Sequence, residues 1–137
     1  NRSMELTDAI PLFKLKNVNW IITSKEITNE EYSILKKYDN IIILNDEIVN
    51  YDVDTSFYDT MTILKYVDAV ISTDTSIVHL ALTMDIQTYV LLVLGAEWRW
   101  GQVHDRTNWY PKATLLRQNK IHNWDNVITA VTQIVQQ

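Results

Sequence analysis

Ile41-Ile42-Ile43-Leu44 places four large aliphatic side chains in a row, and Tyr89-Val90-Leu91-Leu92-Val93-Leu94 forms a longer run of the same kind. A strand sends successive side chains to opposite faces, so a run without a polar position leaves no face for water. A sheet built from such strands must be covered on both sides. Parallel sheets with helices packed over both faces meet that requirement. Ala69-Val70-Ile71-Ser72 and Trp20-Ile21-Ile22-Thr23 are shorter runs with the same reading.

Helix signals fall between these runs. Thr28-Asn29-Glu30-Glu31 is a capping box, with Ile27 and Tyr32 where a hydrophobic staple sits. This helix is expected to turn Tyr32, Ile34 and Leu35 inward and to close on Lys36-Lys37, a favourable charge for a C-terminus. Asp39-Asn40 turns the chain into the next strand. Ser56, with Asp59 three residues on, opens a helix bearing Phe57, Met61 and Leu64. A further helix is predicted from Thr75 to Met84. After a long connection from Gly95 to Pro111, Thr114-Leu115-Leu116 reads as a last short strand. Asn123 caps a final helix with Val127, Val131 and Ile134 on one face. An opening helix from Leu6 to Phe13 carries Pro11 inside it.

The fold class is therefore α/β: a Rossmann-like, mostly parallel sheet with helices on both faces and right-handed crossovers. Ligands of such sheets sit at the carboxyl ends of the strands. The loops to search are those after Leu44, Ser72 and Leu94.

The chain has 137 residues, one domain over positions 1–137, with 47% hydrophobic and 21% charged residues, a globular composition. Twelve basic and 17 acidic residues leave a net charge of −5. That balance gives no overall attraction to nucleic acid or an anionic membrane, so any anion site must be local. The absence of Cys removes disulfides, thiol nucleophiles and Cys-based metal sites. It fits a reducing compartment, and a cytoplasmic location is expected. The longest uncharged apolar stretch, Ile86 to Ala96, has 11 residues, short of the ~20 of a membrane helix. Gly95 and Gly101 are the only glycines, too few for a dinucleotide fingerprint or a P-loop. Asn1 stands where a Met would open a natural chain, and no apolar stretch follows Arg2, as expected for a piece of a longer protein.

Two segments carry candidate site residues. Thr73-Asp74-Thr75-Ser76 lies at a strand-to-helix junction, where free N–H groups and the positive dipole end form an anion pocket. Thr75 and Ser76 add hydroxyls. Asp74 would repel a phosphate close by, so it is read as capping the helix and reaching a sugar hydroxyl; a plain N-cap is the simpler reading. On a 3.6-residue period Ile77, Leu80, Ala81 and Met84 share one stripe, and His79 lies about 150° from its middle, on the face of Thr75. His79 is then a site residue or a surface histidine. The second segment is Gly95-Ala96-Glu97-Trp98-Arg99-Trp100-Gly101; three of the five tryptophans lie between positions 98 and 109. Trp98 and Trp100 suit stacking on a sugar or base, and Arg99 suits an anion. Otherwise the loop folds over apolar packing with Arg99 paired to an acid. Residues Ala96 to Arg106 are expected to be more mobile than the strands. His104 and His122 have no metal-site spacing and read as surface residues.

Asp74-Thr75-Ser76 with His79-Leu80-Ala81, then Trp98-Arg99-Trp100, Trp109-Tyr110-Pro111, Leu115-Leu116-Arg117-Gln118 and Trp124-Asp125, resembles the C-terminal half of glycosyltransferase family 9-like proteins. These include the heptosyltransferases and the glycosyltransferase portions attached to tetratricopeptide repeats in bacteria. Phe57-Tyr58-Asp59-Thr60 also fits, and the order matches from about Arg2 to Val131. The resemblance implies the C-terminal half of a GT-B fold, which binds a nucleotide-diphosphate sugar. Thr75 and Ser76 match the diphosphate-binding residues and His79 the histidine near the nucleotide. Asn45-Asp46-Glu47 would contact the ribose or base. Ser76 stands where heptosyltransferases usually have Gly, which weighs against a heptose donor. The family's first strand would precede Arg2 and lie between the strands at Trp20 and Ala69. The acceptor-binding N-terminal domain, which carries the catalytic base, is outside this chain.

The expected function is thus nucleotide-diphosphate-sugar binding within an inverting glycosyltransferase. The resemblance implies no metal and no cofactor, and this half alone would be inactive. The expected partners are the sugar donor and the missing acceptor domain, with no nucleic acid and no membrane span. The alternative is a non-catalytic α/β interaction module derived from a glycosyltransferase. A receiver-type flavodoxin-like domain is weakened by the lack of an acidic pair after a first strand.

Overall fold

The computed structural model describes residues 3–24, 26–44, 56–95, 100–101, 105, 107 and 109–136. Among them are five helices and five strands, in the order α1 (Leu6–Phe13), β1 (Trp20–Ile22), α2 (Asn29–Leu35), β2 (Ile41–Ile43), α3 (Ser56–Leu64), β3 (Val70–Thr73), α4 (Ser76–Thr83), β4 (Thr88–Leu92), β5 (Ala113–Arg117) and α5 (Asp125–Val135). Every strand pairing is parallel. β1 pairs with β2, with Trp20 opposite Ile41, and β3, β4 and β5 form a second sheet in that order. The protein is α/β, as the apolar runs require.

The central strand β4 sets the layers. Val90 and Leu92 point to one face, into a core with Val78 and Leu82 of α4, Ala113 and Leu115 of β5, and Trp100. Leu91 points to the other face, among Leu12 and Phe13 of α1 and Val127, Ile128 and Val131 of α5. Burying an aliphatic side chain of this size contributes about 1.5–3 kcal/mol. A third cluster joins Leu64 of α3, Val70 of β3 and Ala81 of α4.

Trp20, Ile22, Ile41 and Ile43 of the first sheet pack on the same core as Ile71, Leu91 and Leu116 of the second. No described strand joins β1 to β3. The described strands thus form two small parallel sheets, β1–β2 and β3–β4–β5, that share one core.

Local signals explain the helix ends. Thr28 Oγ1 accepts from the Glu31 N–H at 3.1 Å, and Glu31 Oε2 accepts from the Thr28 N–H at 2.9 Å, closing the capping box. Asn123 acts one position outside the cap: its Oδ1 accepts from the Asp125 N–H at 2.8 Å, while Trp124 holds the N-cap position. Pro11 sits inside α1 without ending it. Asn40 donates from Nδ2 to the carbonyls of Leu15 and Val18 at 3.0 and 2.9 Å, tying the entry of β2 to the entry of β1.

Three expectations of burial are corrected. Ile42 is half exposed, because Ile41 and Ile43 face the shared core and no described element covers the opposite face of β2. Tyr32 is exposed and lies under the Lys36 ammonium, 5.0 Å from its ring centroid, leaving Leu35 as the buried residue of α2. Phe57, at the first turn of α3, is exposed, and Leu64 carries that helix's burial. Among the described residues no helix is long and apolar enough to cross a membrane.

α4 ends in a Schellman motif without glycine. The Ile86 N–H bonds to the Ala81 carbonyl at 3.0 Å and the Asp85 N–H to the Leu82 carbonyl at 3.1 Å, with Asp85 left-handed at φ 60. A side chain in that region costs roughly 1–2 kcal/mol, less for Asp than for most residues. Asp85→Gly is therefore expected to stabilise the fold by about 0.5–1 kcal/mol, and Asp85→Val to destabilise it by more than that. Urea melts of both variants check the opposite signs.

Candidate functional site

β3 ends at Thr73 and α4 begins at Ser76, so only Asp74 and Thr75 join strand to helix. The junction lies at the carboxyl end of the strand, where α/β sheets bind ligands. Thr75 holds the N-cap position in an extended conformation, φ −134 and ψ 172, and its side chain makes no capping bond. Its Oγ1 lies 3.1 Å from Ser72 Oγ, at the end of β3. The expectation that Asp74 caps the helix is corrected: with Ser76 as first helical residue, the cap falls on Thr75. Thr75 and Ser76 are both exposed. The N–H groups of Ser76 and Ile77 have no carbonyl within the helix to bond.

Asp74 faces His79 instead, with Oδ1 3.4 Å from His79 Nε2. His79 stands one turn into α4, partly exposed, and its ring stacks on Trp100 at 5.4 Å between centroids and 27° between planes. The other ring nitrogen, Nδ1, lies 3.4 Å from the Tyr110 hydroxyl. Both contacts are long for hydrogen bonds. A carboxylate oxygen only accepts, so the neutral ring matches this setting with its proton on Nε2, leaving Nδ1 to accept from Tyr110. The Tyr110 ring closes the group at 5.9 Å from His79 and 6.1 Å from Trp100.

The buried stripe of α4 is wider than its period suggested. Val78 and Leu82 join the core that holds Trp100, while Ala81 joins the cluster with α3. This places His79 at the margin of the packed surface, neither in the core nor on open surface.

Trp100 is corrected from an open stacking platform to a core residue, 1% exposed. Val90, Leu92, Ala113 and Leu115 supply an apolar floor beneath it, and His79 covers it. Its Nε1 is buried without a hydrogen-bond partner. Trp98, Arg99 and Asn45-Asp46-Glu47 lie outside the described residues. Of the stretch Ala96 to Arg106, expected to be mobile, only Trp100, Gly101 and Asp105 are described. His104 is outside them too, and His122 is exposed.

Sequence reasoning gave no role to Tyr110 or Arg117, although both lie in motifs it quoted. Arg117 ends β5, and its Nη2 donates to the Trp100 carbonyl at 2.7 Å and the Gly101 carbonyl at 2.8 Å. Burial lowers its guanidinium below the ordinary value by desolvation. Its Nε is buried without a hydrogen-bond partner. Gly101 is left-handed at φ 70, which lets the backbone turn both carbonyls toward one nitrogen. A cation closing an apolar strand, Leu115-Leu116-Arg117, is the signal that could have drawn attention to it.

Trp100→Ala is expected to cost about 3–5 kcal/mol through the cavity it leaves. Trp100→Phe keeps a ring in place and removes the unpaired N–H, so its cost should be well below that of the alanine variant. Equilibrium urea unfolding of both variants measures the difference.

No protein-family model matches the chain, and no match to it is found among curated proteins or solved structures.

Proposed function

We propose that this chain binds a nucleotide-diphosphate sugar, as the donor-binding half of a glycosyltransferase. The observation that carries the reading is the start of α4: exposed hydroxyls at Thr75 and Ser76, at the carboxyl end of β3, with Asp74 turned aside to His79. A helix N-terminus offers an anion both donors and a favourable dipole. The carboxylate that would repel a phosphate is directed toward the imidazole, so the approach to the first turn is left to N–H groups and hydroxyls.

In this reading the diphosphate lies against the N–H groups of the first turn of α4, with Ser76 Oγ as an added donor. Charge building on the departing diphosphate during transfer is stabilised by these preorganised dipoles. The acceptor and the base that activates it belong to a facing domain outside this chain, so the isolated chain binds donor without turning it over.

A thermal-shift panel of UDP-, GDP-, ADP- and CMP-sugars tests the binding. A ligand at a hundredfold excess over its dissociation constant adds about 2.7 kcal/mol of apparent stability. No response to any of the panel would leave the non-catalytic interaction module as the better reading. Ser76→Ala is expected to weaken the responding nucleotide by about 0.5–3 kcal/mol, the worth of one neutral or charge-assisted hydrogen bond. Folding stability should barely move, since the Ser76 side chain is exposed and the cap position is Thr75. Calorimetric titration beside urea melts separates the two effects, and unchanged affinity removes the diphosphate from this helix end.

A further inference from the structure

The group around His79 is held from behind. Asp74 and Tyr110 flank the two ring nitrogens, each at 3.4 Å, and neither contact is short enough to fix the ring by itself. What lies under the ring is Trp100, buried and stacked on it. The backbone of Trp100 is in turn fastened, together with Gly101, by a single nitrogen of Arg117. Arg117 is rooted in the regular parallel ladder of β5, where Leu92 and Arg117 stand opposite each other.

We propose that Arg117 is a positioning residue for the His79 site. By binding the Trp100 and Gly101 carbonyls it seats the indole beneath His79, and so holds the imidazole between Asp74 and Tyr110 in one tautomer. Two features favour this over a clamp that merely staples a loop. First, Nη2 holds two successive carbonyls of one turn, those of Trp100 and Gly101. Second, the residue whose carbonyl it holds is the one that stacks on His79. The line of contact is continuous from β5 through Arg117, Trp100 and His79 to Asp74 beside the start of α4. Without the stack, the imidazole is free to swing away from the Asp74 carboxylate. The consequence for nucleotide binding rests on the function proposed above; the arrangement of His79 does not.

The test reads the His79 ring directly. Long-range nitrogen–proton spectra of the labelled chain report the tautomer of each of the three histidines, and a His79→Gln variant identifies the His79 signals. In the wild type, the His79 ring protons should be shifted by the Trp100 ring current, with the proton on Nε2. Arg117→Met removes both carbonyl bonds. It is expected to reduce that ring-current shift by at least about half and to mix the two tautomers, as loss of the stack would. Arg117→Lys, which can reach one carbonyl, should fall between. Tyr110→Phe should keep the ring-current shift and release the tautomer. An unchanged His79 signature in Arg117→Met overturns the proposal. Should that variant lose native amide dispersion, Arg117→Lys decides: a reduced shift in an otherwise native spectrum supports positioning, and an unchanged one overturns it.

Titration with UDP, GDP and ADP then asks whether the position of His79 matters for binding. Arg117→Met should weaken the wild-type chain's preferred nucleotide by at least about fivefold. Unchanged affinity, with a displaced imidazole, overturns the link to binding. A wild-type chain that binds none of the three sinks the function proposed above and leaves the spectroscopic test of Arg117 standing.

Discussion

Everything in this fold depends on one central strand being dry on both faces. Thr88, Val90, Leu91 and Leu92 of β4 are all buried, with Val90 and Leu92 facing one core and Leu91 the other. A parallel strand in this position has its N–H and C=O groups taken by neighbours on both edges, so its side chains alone decide what covers it. The covering helices follow: α1 and α5 over Leu91, α4 over Val90 and Leu92. Trp100 is drawn in by the same demand, packing with Ala113 and Leu115 of β5 on the face that α4 covers.

The candidate site inherits its geometry from this arrangement. With β3 beside β4, the two-residue link to α4 sets the helix start at the carboxyl end of the sheet. With Trp100 buried against β4 and β5, a flat aromatic surface is left at the margin of α4, and His79 occupies it. The imidazole in turn gives Asp74 a partner other than the helix end. A packing requirement deep in the sheet therefore shapes the polar surface at the start of α4. The unpaired Nε1 of Trp100 and Nε of Arg117 mark the cost, since a buried donor left without an acceptor costs about 1–3 kcal/mol.

Much of the architecture was legible because it rests on short-range rules. The β-branched and aliphatic runs mark all five strands, the Thr28 capping box is made as its spacing requires, and Leu6–Phe13 is helical despite Pro11. The errors share a cause. Ile42, Tyr32 and Phe57 are apolar residues placed by period on faces that no described element covers. Periodicity tells which residues share a face and is silent about whether another element will arrive to bury it. Likewise the period sets His79 apart from its helix's apolar stripe without showing what it meets, since its neighbours Trp100 and Tyr110 lie 21 and 31 residues away.

The sequence by itself determined the α/β class, the parallel pairing and the strand-to-helix junction at Asp74-Thr75-Ser76. These follow from side-chain alternation, helix capping and chain connectivity, all of which act between near neighbours. Only the tertiary structure decided that Trp100 is a core residue, that Asp74 turns to His79, and that Arg117 reaches back to the Trp100–Gly101 turn. Each depends on which distant surfaces meet once the two faces of β4 are closed. A tryptophan or an arginine has the same local preferences whether it ends in a core or at a surface, and the burial available around it is set by the rest of the chain.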